Sequence, residues 1–282
     1  MEESIKKADI LVEAVPYIQA FRGKVIVAKY GGSAIDNPEA MRNILQDLVF
    51  LSTVGVRAVL VHGGGPAITR RLEQGGKATS FIDGMRVTDA HTVQVVNKAL
   101  DQVNRRLVRQ IESLGGRAQG LTPASGVVVA APHRRAAELG FVGAVKAVHA
   151  APIRRAFLRH AVPVISPVGQ ADGQLYNINA DDVAAKVAVH LRAAKLVLLT
   201  NVRGILRRPG DPGSLLSTLT VKDAGGLLER QVIQSGMIPK VQACMTALRG
   251  AVKKTHIIDA AVPHALLLEI FTKQGIGTEI IP

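Results

Sequence analysis

Two short glycine-rich segments follow apolar runs and have the composition of anion-binding loops. Residues 25–28 (VIVA) lead into residues 29–33 (KYGGS), and residues 58–61 (AVLV) lead into residues 62–66 (HGGGP). Glycines leave backbone N–H groups uncovered, and Lys29 adds a compact positive charge beside them. An ordinary glycine turn with a solvated lysine would explain the first segment alone. The repetition of the arrangement favours a phosphate or carboxylate site.

The second glycine segment also begins a helix. Pro66 suits the first helical turn, where its missing N–H costs nothing, and the helix dipole behind the glycines favours an anion. In an open α/β sheet, both segments would lie at the carboxyl edge, where ligands bind. Neither segment matches the Walker or the dinucleotide-binding pattern. A phosphate site built from them therefore belongs to another class.

Three further positions could take part in the same chemistry. Residues 176–182 (YNINADD) open a helix; these side chains are good helix caps, and they could equally order a substrate and nearby lysines. Lys240 falls in the first turn of a helix, where a cation opposes the dipole, so we expect an anion beside it. Arg86 precedes a helix cap at Thr88 or Asp89 and could bind a carboxylate through two hydrogen bonds. A surface arginine is the alternative.

The elements that position these residues follow from hydrophobic periodicity. Buried strands are predicted near residues 25–28, 58–61, 162–166, 196–200 and 253–258, and helices near residues 8–20, 40–51, 66–72, 89–114, 150–160, 180–191, 240–250 and 263–271. Pro16 predicts a kink or break in the first helix. Residues 117–149 are interpreted as hairpins at the edge of the sheet. No linker divides the chain, so two lobes of one α/β domain are expected.

Composition limits the classes of protein. The 282 residues carry 35 Lys and Arg against 22 Asp and Glu, a formal charge of +13, but the basic residues are dispersed and aromatics make up only 3%. This favours small anionic substrates or an acidic protein partner over nucleic acid. Cys244 is the only cysteine, which excludes an internal disulfide. No apolar run is long enough for a membrane span and no secretory leader is evident, so a cytoplasmic protein is expected.

Six segments together resemble the amino-acid kinase family, and within it the branch that phosphorylates N-acetyl-L-glutamate. They are residues 29–32 (KYGG), 62–66 (HGGGP), 84–89 (GMRVTD), 177–181 (NINAD), 236–240 (GMIPK) and 263–269 (PHALLLE). The resemblance covers nearly the whole chain. It implies a three-layer α/β/α sandwich around an open, mainly parallel eight-stranded sheet. It also implies an N-terminal oligomerisation helix (residues 1–20) and a kinase domain (residues 21–282), whose N-lobe (about 21–175) binds acetylglutamate and whose C-lobe (about 176–282) binds ATP.

The resemblance also implies roles for individual residues. Lys29 and Lys240 would stabilise the phosphoryl group during its transfer, and Asp181 would orient both lysines. The substrate-binding residues would be Gly64, Gly65, Arg86 and Asn177. The nucleotide-binding residues would be Gly31, Gly32, Asn201, Val202, Gly204, Ile205, Leu206, Gly236 and Met237. ATP would transfer its γ-phosphoryl group to the γ-carboxylate, with Mg²⁺ held mainly by ATP phosphates and water.

Regulation is a second implication. Arginine-inhibited members of this branch carry an N-terminal helix that interlaces dimers into a hexamer, and the corresponding arginine-binding residues would be Tyr17, Lys195, His264, Glu269 and Gly277. A PII-type signalling protein is a partner of some relatives. Departures from the family pattern are Asn201 in place of an aspartate, Ser235 in place of a glycine, and residues 121–126, which lack a Gly-x-Asp. Two alternatives stay open: a kinase for a carrier-protein-linked aminoadipate or glutamate, and an arginine sensor without turnover.

Overall fold

The computed structural model describes residues 1–208, 210–233, 236–272 and 275–282. Ser235, one of the departures from the family pattern, lies outside the described residues. The helices and strands within these ranges are, in chain order, α1 (Glu2–Phe21), β1 (Val25–Tyr30), α2 (Pro38–Thr53), β2 (Arg57–His62), α3 (Gly65–Gln74), β3 (Phe81–Ile82), β4 (Met85–Arg86), α4 (Ala90–Ser113), β5 (Ala118–Leu121), β6 (Val128–Pro132), α5 (Ala136–Leu139), β7 (Val142–Val148), α6 (Ala151–Leu158), β8 (Val162–Ile165), β9 (Val168–Ala171), β10 (Gln174–Ile178), α7 (Ala180–His190), β11 (Lys195–Thr200), β12 (Thr218–Thr220), α8 (Val221–Glu229), α9 (Ile238–Arg249), β13 (Lys254–Asp259), α10 (Ala265–Phe271) and β14 (Thr278–Ile281).

The main sheet has eight strands in the order β12-β14-β13-β11-β1-β2-β8-β5. All neighbours from β13 to β5 are parallel. Only the contact between β13 and β14 is antiparallel, and β12 runs parallel to β14. The expectation of an open, mainly parallel eight-stranded sheet is confirmed. The glycine segments after β1 and β2 therefore lie side by side at its carboxyl edge.

Helices cover both faces of this sheet, as the alternation along β1 requires. Ile26, Ala28 and Tyr30 pack on one side with apolar residues of α2, α4 and α10. Val27 packs on the other side with residues of α6, α7, α8 and α9. Lys29 follows the alternation of Val27 and is therefore directed to the layer that contains α7 and α9.

Besides the main sheet, four strands form a closed barrel. This barrel corrects the interpretation of residues 117–149. β6 and β7 do form an antiparallel hairpin, but β6 also pairs with β9 and β7 with β10 in this barrel rather than at the edge of the main sheet. The strand at that edge is β5. The barrel interior is so narrow that a Cβ at Gly169 would come within 2.8 Å of Ile178 Cδ1, and one at Gly143 within 2.7 Å of Tyr176 Cβ. Its last strand, β10, leads directly into α7.

The first helix is longer than predicted. α1 begins at Glu2 and continues through Pro16 to Phe21; of the kink or break predicted at Pro16, the break does not occur. Its docked end contacts the domain through Tyr17, whose ring is 6.2 Å from that of Phe271 in an edge-to-face arrangement. No helix among the described residues is both long and apolar enough to cross a membrane.

Candidate active site

A buried aspartate lies between two lysines that come from different parts of the chain. Asp181 Oδ1 is 3.0 Å from Lys29 Nζ of β1, and Asp181 Oδ2 is 3.2 Å from Lys240 Nζ in the first turn of α9. Lys29 and Asp181 are both nearly inaccessible, whereas a fifth of the Lys240 side chain is exposed. The anion expected beside Lys240 is therefore the Asp181 carboxylate.

The charges of this cluster follow from its surroundings. Burial alone would raise the pKa of Asp181, but the positive charges of Lys29 and Lys240 more than offset it and hold the pKa below its ordinary value. The aspartate also lies in the first turn of α7, whose N-cap is Asn179, and a helix N-terminus favours an anion. Asp181 is therefore a carboxylate at neutral pH. It holds two cations in place without neutralising both.

The two glycine segments touch each other. Gly63 N donates a hydrogen bond of 2.8 Å to Tyr30 O, and a Cβ added at Gly31 would lie only 2.9 Å from Gly63 Cα. A Cβ at Gly64 would lie 2.5 Å from Leu100 Cδ2 of α4. Around Gly65, in contrast, no atom lies within 4 Å of an added Cβ. The glycines at 31, 63 and 64 thus permit close packing, and Gly65 borders open space.

Arg86, at the end of β4, retains an unused donor. Its Nη2 donates to Thr69 Oγ1 at 2.8 Å and to Gly65 O at 3.3 Å, and its guanidinium lies 4.7 Å from the ring centre of Phe81. Its Nη1 is buried and has no hydrogen-bond partner. Burial lowers the pKa of Arg86, but an arginine stays charged at any physiological pH. A carboxylate would satisfy both the free donor and the charge.

These groups share one cavity of about 430 Å³. The sequence-predicted residues that line it are Lys29, Gly32, Gly64, Gly65, Arg86, Asn177 and Asp181. Asn177 is held from β10, where its Nδ2 donates to Thr88 Oγ1 at 3.3 Å. Lys240 joins the group through Asp181. Sequence reasoning did not single out Phe81 or His133, which also line the cavity. For Phe81, an aromatic residue three positions before Gly84 was the available signal.

The predicted nucleotide-binding residues of the C-terminal half lie outside this cavity. Asn201 and Val202 are exposed just after the carboxyl end of β11, and Thr200 Oγ1 donates to Asn201 Oδ1 at 3.3 Å. Ile205 is buried, and its N–H donates to Thr278 Oγ1 at 2.8 Å. Gly204 has a φ of 150°, which favours glycine. The remaining predicted residues are Leu206, which bridges to Leu215, and Gly236 and Met237, which precede α9.

A second cavity, of about 400 Å³, lies near the amino ends of β11 and β13, opposite the carboxyl ends that carry the glycine segments. Four of the predicted arginine-binding residues line it: Tyr17, Lys195, Glu269 and Gly277. His264 does not. It precedes α10, and its Nδ1 lies 2.7 Å from Oδ1 of the buried Asp47.

A buried pair forms the floor of this second cavity. His256 Nδ1 is 2.6 Å from Glu269 Oε1, and the Ile276 N–H donates to Glu269 Oε2 at 2.7 Å. Burial would raise the pKa of Glu269, but the hydrogen bond from His256 and the other contacts hold it below its usual value. Burial lowers the pKa of Lys195, which contacts Glu269 O at 3.3 Å. Sequence reasoning missed His256, although a histidine inside a buried strand was the signal.

Within the described part of the chain, no group of three or more His, Cys, Asp or Glu side chains could hold a metal ion by itself. Asp181 is already engaged by two lysines.

Comparison with known proteins gives consistent matches over the full chain. A model described as the amino acid kinase family matches residues 24–259. Acetylglutamate kinase from Desulforamulus reducens is 45% identical over 285 residues, covering 100% of this chain and 99% of that protein. Acetylglutamate kinase from Moorella thermoacetica is 46% identical over 290 residues, covering 99% and 98%. N-acetylglutamate synthase from Neisseria gonorrhoeae, complexed with coenzyme A and N-acetyl-glutamate, superposes with a TM-score of 0.85 at 28% identity, covering 96% of this chain and 62% of that chain.

Proposed function

This chain belongs to the amino acid kinase family, and from that premise we propose that it phosphorylates N-acetyl-L-glutamate. The enzyme transfers the γ-phosphoryl group of ATP to the γ-carboxylate and forms N-acetyl-L-glutamyl 5-phosphate and ADP, a step of arginine biosynthesis. The nearly full-length identity to acetylglutamate kinases supports this substrate. The single observation that carries the mechanism is the buried Lys29–Asp181–Lys240 cluster beside the glycine loops.

The reaction needs charge compensation more than acid–base catalysis. One carboxylate oxygen forms a bond to phosphorus while the bond from phosphorus to the β,γ-bridging oxygen breaks, and ADP leaves with that electron pair. The carboxylate is already a nucleophile, so no general base is required. Lys29 and Lys240 neutralise charge on the transferring group and its neighbours, which is the main contribution that protein groups make to phosphoryl transfer. Asp181 bridges the two ammonium groups and holds them in position.

Substrate binding follows from the remaining groups of the cavity. The unpartnered Nη1 of Arg86 supports a salt bridge to a carboxylate of acetylglutamate, and Asn177 would hydrogen-bond another part of the same substrate. Gly64 and Gly65 would donate backbone amides. The nucleotide would lie over residues 201–206 and residues 236–237, with Gly31 and Gly32 near its terminal phosphate. An N-lobe of about residues 21–175 for acetylglutamate and a C-lobe of about residues 176–282 for ATP accommodate this arrangement.

A magnesium ion fits this site only as a companion of ATP. The described residues offer no carboxylate cage, so the ligands would be phosphate oxygens and water, an arrangement that Mg²⁺ tolerates well. When bound, Mg²⁺ would offset negative charge on the β- and γ-phosphates. The lysines act on the same charge from the protein side.

Arginine is the proposed feedback inhibitor, and the second cavity is its proposed site. The Glu269 carboxylate suits a guanidinium group, and Lys195 suits a carboxylate. The exposed apolar side chains of α1 support its use in assembly, with a hexamer as the proposed state. A PII-type signalling protein is a further proposed partner, on the resemblance alone. A cytoplasmic location is the one that fits a biosynthetic enzyme.

The deciding experiment traps the acyl phosphate with hydroxylamine in the presence of ATP and Mg²⁺. N-acetyl-L-glutamate is compared with glutamate, aspartate and carbamate, using the native chain and the Lys29→Ala and Lys240→Ala variants. Hydroxamate formed from acetylglutamate alone, and lost in both variants, is the expected result. No hydroxamate from any free amino acid would overturn the proposal. A carrier-linked substrate or an arginine sensor would then be the hypotheses to test.

A further inference from the structure

A buried histidine contacts the glycine loop from behind. His62, the last residue of β2, is fully buried on the α4 side of the sheet, and its Nδ1 lies 2.8 Å from Gly63 O. Its Nε2 lies 3.1 Å from Nδ2 of Asn104, a buried residue of α4. The same Asn104 Nδ2 is 2.8 Å from Val164 O of β8. Four groups from three elements and the loop thus form one hydrogen-bonded chain.

The position of each proton in this hydrogen-bonded series can be assigned by starting from Val164 O. Val164 O can only accept, so the Asn104 amide must direct its NH₂ group toward it. The second hydrogen of that NH₂ group is then available for His62 Nε2, which must accept it as an unprotonated nitrogen. Burial, opposed in part by the Gly63 contact, lowers the pKa of His62 to about 4, so the ring is neutral at neutral pH. Its one proton therefore lies on Nδ1 and is donated to Gly63 O.

This donation fixes a peptide that would otherwise be free to flip. Glycine accepts either sign of φ, so a peptide between two glycines rotates at little cost. In a trans peptide, the C=O and the N–H point to opposite sides, and no peptide of the described chain is cis. Because Gly63 O is directed at His62, the Gly64 N–H is directed away from His62, and Gly64 itself lines the active-site cavity. Within the described residues, that N–H donates to no protein acceptor.

We propose that His62 and Asn104 are positioning residues for phosphoryl transfer, because they set the tautomer that keeps the Gly64 N–H directed at the reacting anion. The inference rests on the proposed function, since it assigns that anion to the acetylglutamate carboxylate or the transferring phosphoryl group. Neither side chain touches a substrate. Their effect is preorganisation: a donor already oriented before reaction stabilises developing charge without reorganisation cost.

The other titratable groups around His62 do not compete for this role. Tyr30, its register partner on β1, has a pKa raised to about 12 by burial and donates its hydroxyl to Ala34 O. The positive charge of Arg106 of α4 further lowers the pKa of His62. From α2, the buried acid Asp47 is engaged by His264. Within the described part of the chain, no carboxylate shifts the pKa of His62.

The first test replaces the amide that dictates the tautomer. Asn104→Asp is nearly isosteric, but a carboxylate cannot donate to His62 Nε2, so the ring would transfer its proton to Nε2 and lose the bond to Gly63 O. We expect kcat to fall about 10- to 100-fold, with a smaller change in the KM values. The deficit should shrink as the pH is lowered, because a doubly protonated ring beside the new carboxylate donates from both nitrogens again. A native kcat at all pH values would overturn the proposal.

A matched pair at His62 separates the donor from the packing. In His62→Asn, the side-chain Nδ2 takes the place of Nδ1 and can still donate to Gly63 O, whereas His62→Leu has similar bulk and no donor. We expect His62→Asn to retain at least tenfold more kcat than His62→Leu when both are folded by circular dichroism. Equal kcat values in the two variants would contradict the inference.

The tautomer can also be read without activity. In the native chain labelled with ¹⁵N-histidine, two-bond ¹⁵N–¹H couplings assign the protonated nitrogen, and His62→Asn identifies the signal. An Nδ1–H tautomer is expected; an Nε2–H tautomer or an imidazolium at neutral pH would overturn the inference even if Asn104→Asp did not fold. If the tautomer is as expected but the native chain forms no acyl phosphate, the proposed function fails instead.

Discussion

At the scale of single residues, Asp181 decides where both lysines stand. We predict that Asp181→Asn lowers kcat for acyl phosphate formation by about 100-fold or more, because Lys29 and Lys240 lose the anion that holds both in position. Removing one member of a buried ion pair also leaves an uncompensated charge, so the free energy of unfolding should fall by about 3 kcal/mol. Steady-state kinetics and urea unfolding measure the two effects.

The control for that variant is Asp172→Asn. Asp172 lies in the turn between β9 and β10 with a φ of 48°, a conformation that asparagine accepts as readily as aspartate. Its kcat and unfolding free energy should equal those of the native chain. A native kcat in Asp181→Asn would show that the Lys29–Asp181–Lys240 cluster does not contribute to catalysis as proposed.

The same aspartate predicts a specific acid sensitivity. The pKa of Asp181 in the folded chain lies below its unfolded value of about 3.9. The ionised carboxylate therefore contributes stability above that value, and the contribution is lost as the pH falls through the folded pKa. Urea unfolding of the native chain between pH 7 and pH 2 should lose more free energy over this range than unfolding of Asp181→Asn. Parallel curves would show that the pKa of Asp181 does not change on folding.

Arg86 should affect binding more than turnover. Arg86→Lys keeps one positive charge, but all its N–H groups lie on a single nitrogen, so it cannot donate to Thr69 and Gly65 and also present a donor at the position of Nη1. We predict a rise of about 10- to 100-fold in the KM for acetylglutamate, with kcat and the KM for ATP changed much less. Arg71→Lys is the control, because Arg71 hydrogen-bonds Gln102 outside the active-site cavity. If only the KM for ATP changed, Arg86 would bind the nucleotide rather than acetylglutamate.

At the scale of elements, the contact between the two glycine loops is a packing requirement. Gly31 has an extended backbone that any residue could adopt, so only the approach of Gly63 forbids a side chain there. We predict that Gly31→Ala lowers both the melting temperature and kcat, since the obstructing atoms belong to backbone and cannot rotate away. Gly225→Ala, within α8, should instead raise the melting temperature, because its nearest neighbour is Met245 Cε at 3.7 Å. Thermal unfolding of the two variants measures whether each melting temperature falls or rises.

Which elements could be predicted depended on the length and burial of each apolar run. β1, β2 and β11 are six-residue strands in which at least five residues are buried, and α4 repeats its apolar face over 24 residues, so each was recognisable. β12 and β14 have three and four residues and owe their existence to each other and to β13. The barrel strands carry glycines at their closest contacts, where propensity argues against a strand. Tertiary pairing, which the local sequence does not encode, decided these cases.

The start of α8 was encoded and could have been found. Thr220 and Asp223 form a capping box, with each side chain bonded to the backbone N–H of the other. That spacing is a recognised helix start. The candidate site was more predictable than the barrel, because glycines, lysines and an aspartate at element ends are unusual in their own right. Asn104 was hidden by its neighbours: it is one polar residue on the apolar face of α4, and only the structure shows that it meets His62.

At the scale of the whole molecule, the two cavities lie at opposite ends of the same central strands. Lys195 is the first residue of β11 and borders the second cavity, whereas Thr200, its last residue, lies at the edge that carries the glycine loops. A six-residue strand spans about 20 Å. A ligand in the second cavity therefore cannot touch the substrates, and any inhibition must pass through the packing of strands and helices.

Helix α1 joins that second cavity to the outer surface, and its two halves can be tested separately. Tyr17 near its end lines the cavity, whereas its earlier apolar side chains are exposed, with Leu11 at 68% and Val12 at 69%. Such side chains on a docked helix are typical of an interface with a second copy. We predict that Leu11→Ser/Val12→Ser lowers the mass measured by light scattering but leaves arginine binding by calorimetry within about threefold. Tyr17→Ala should leave the mass unchanged and weaken arginine binding.

Removal of residues 1–20 combines both effects and distinguishes regulation from catalysis. The catalytic cluster, the glycine loops and Arg86 all lie beyond this segment, so kcat without arginine should stay within about twofold of the native value. The proposed inhibition by arginine should be lost, because the cavity then lacks Tyr17 and the chain lacks the helix that we propose for assembly. If the shortened chain stayed fully arginine-sensitive and kept its native mass, α1 would serve neither role. A loss of kcat without arginine would instead show that the active site depends on assembly.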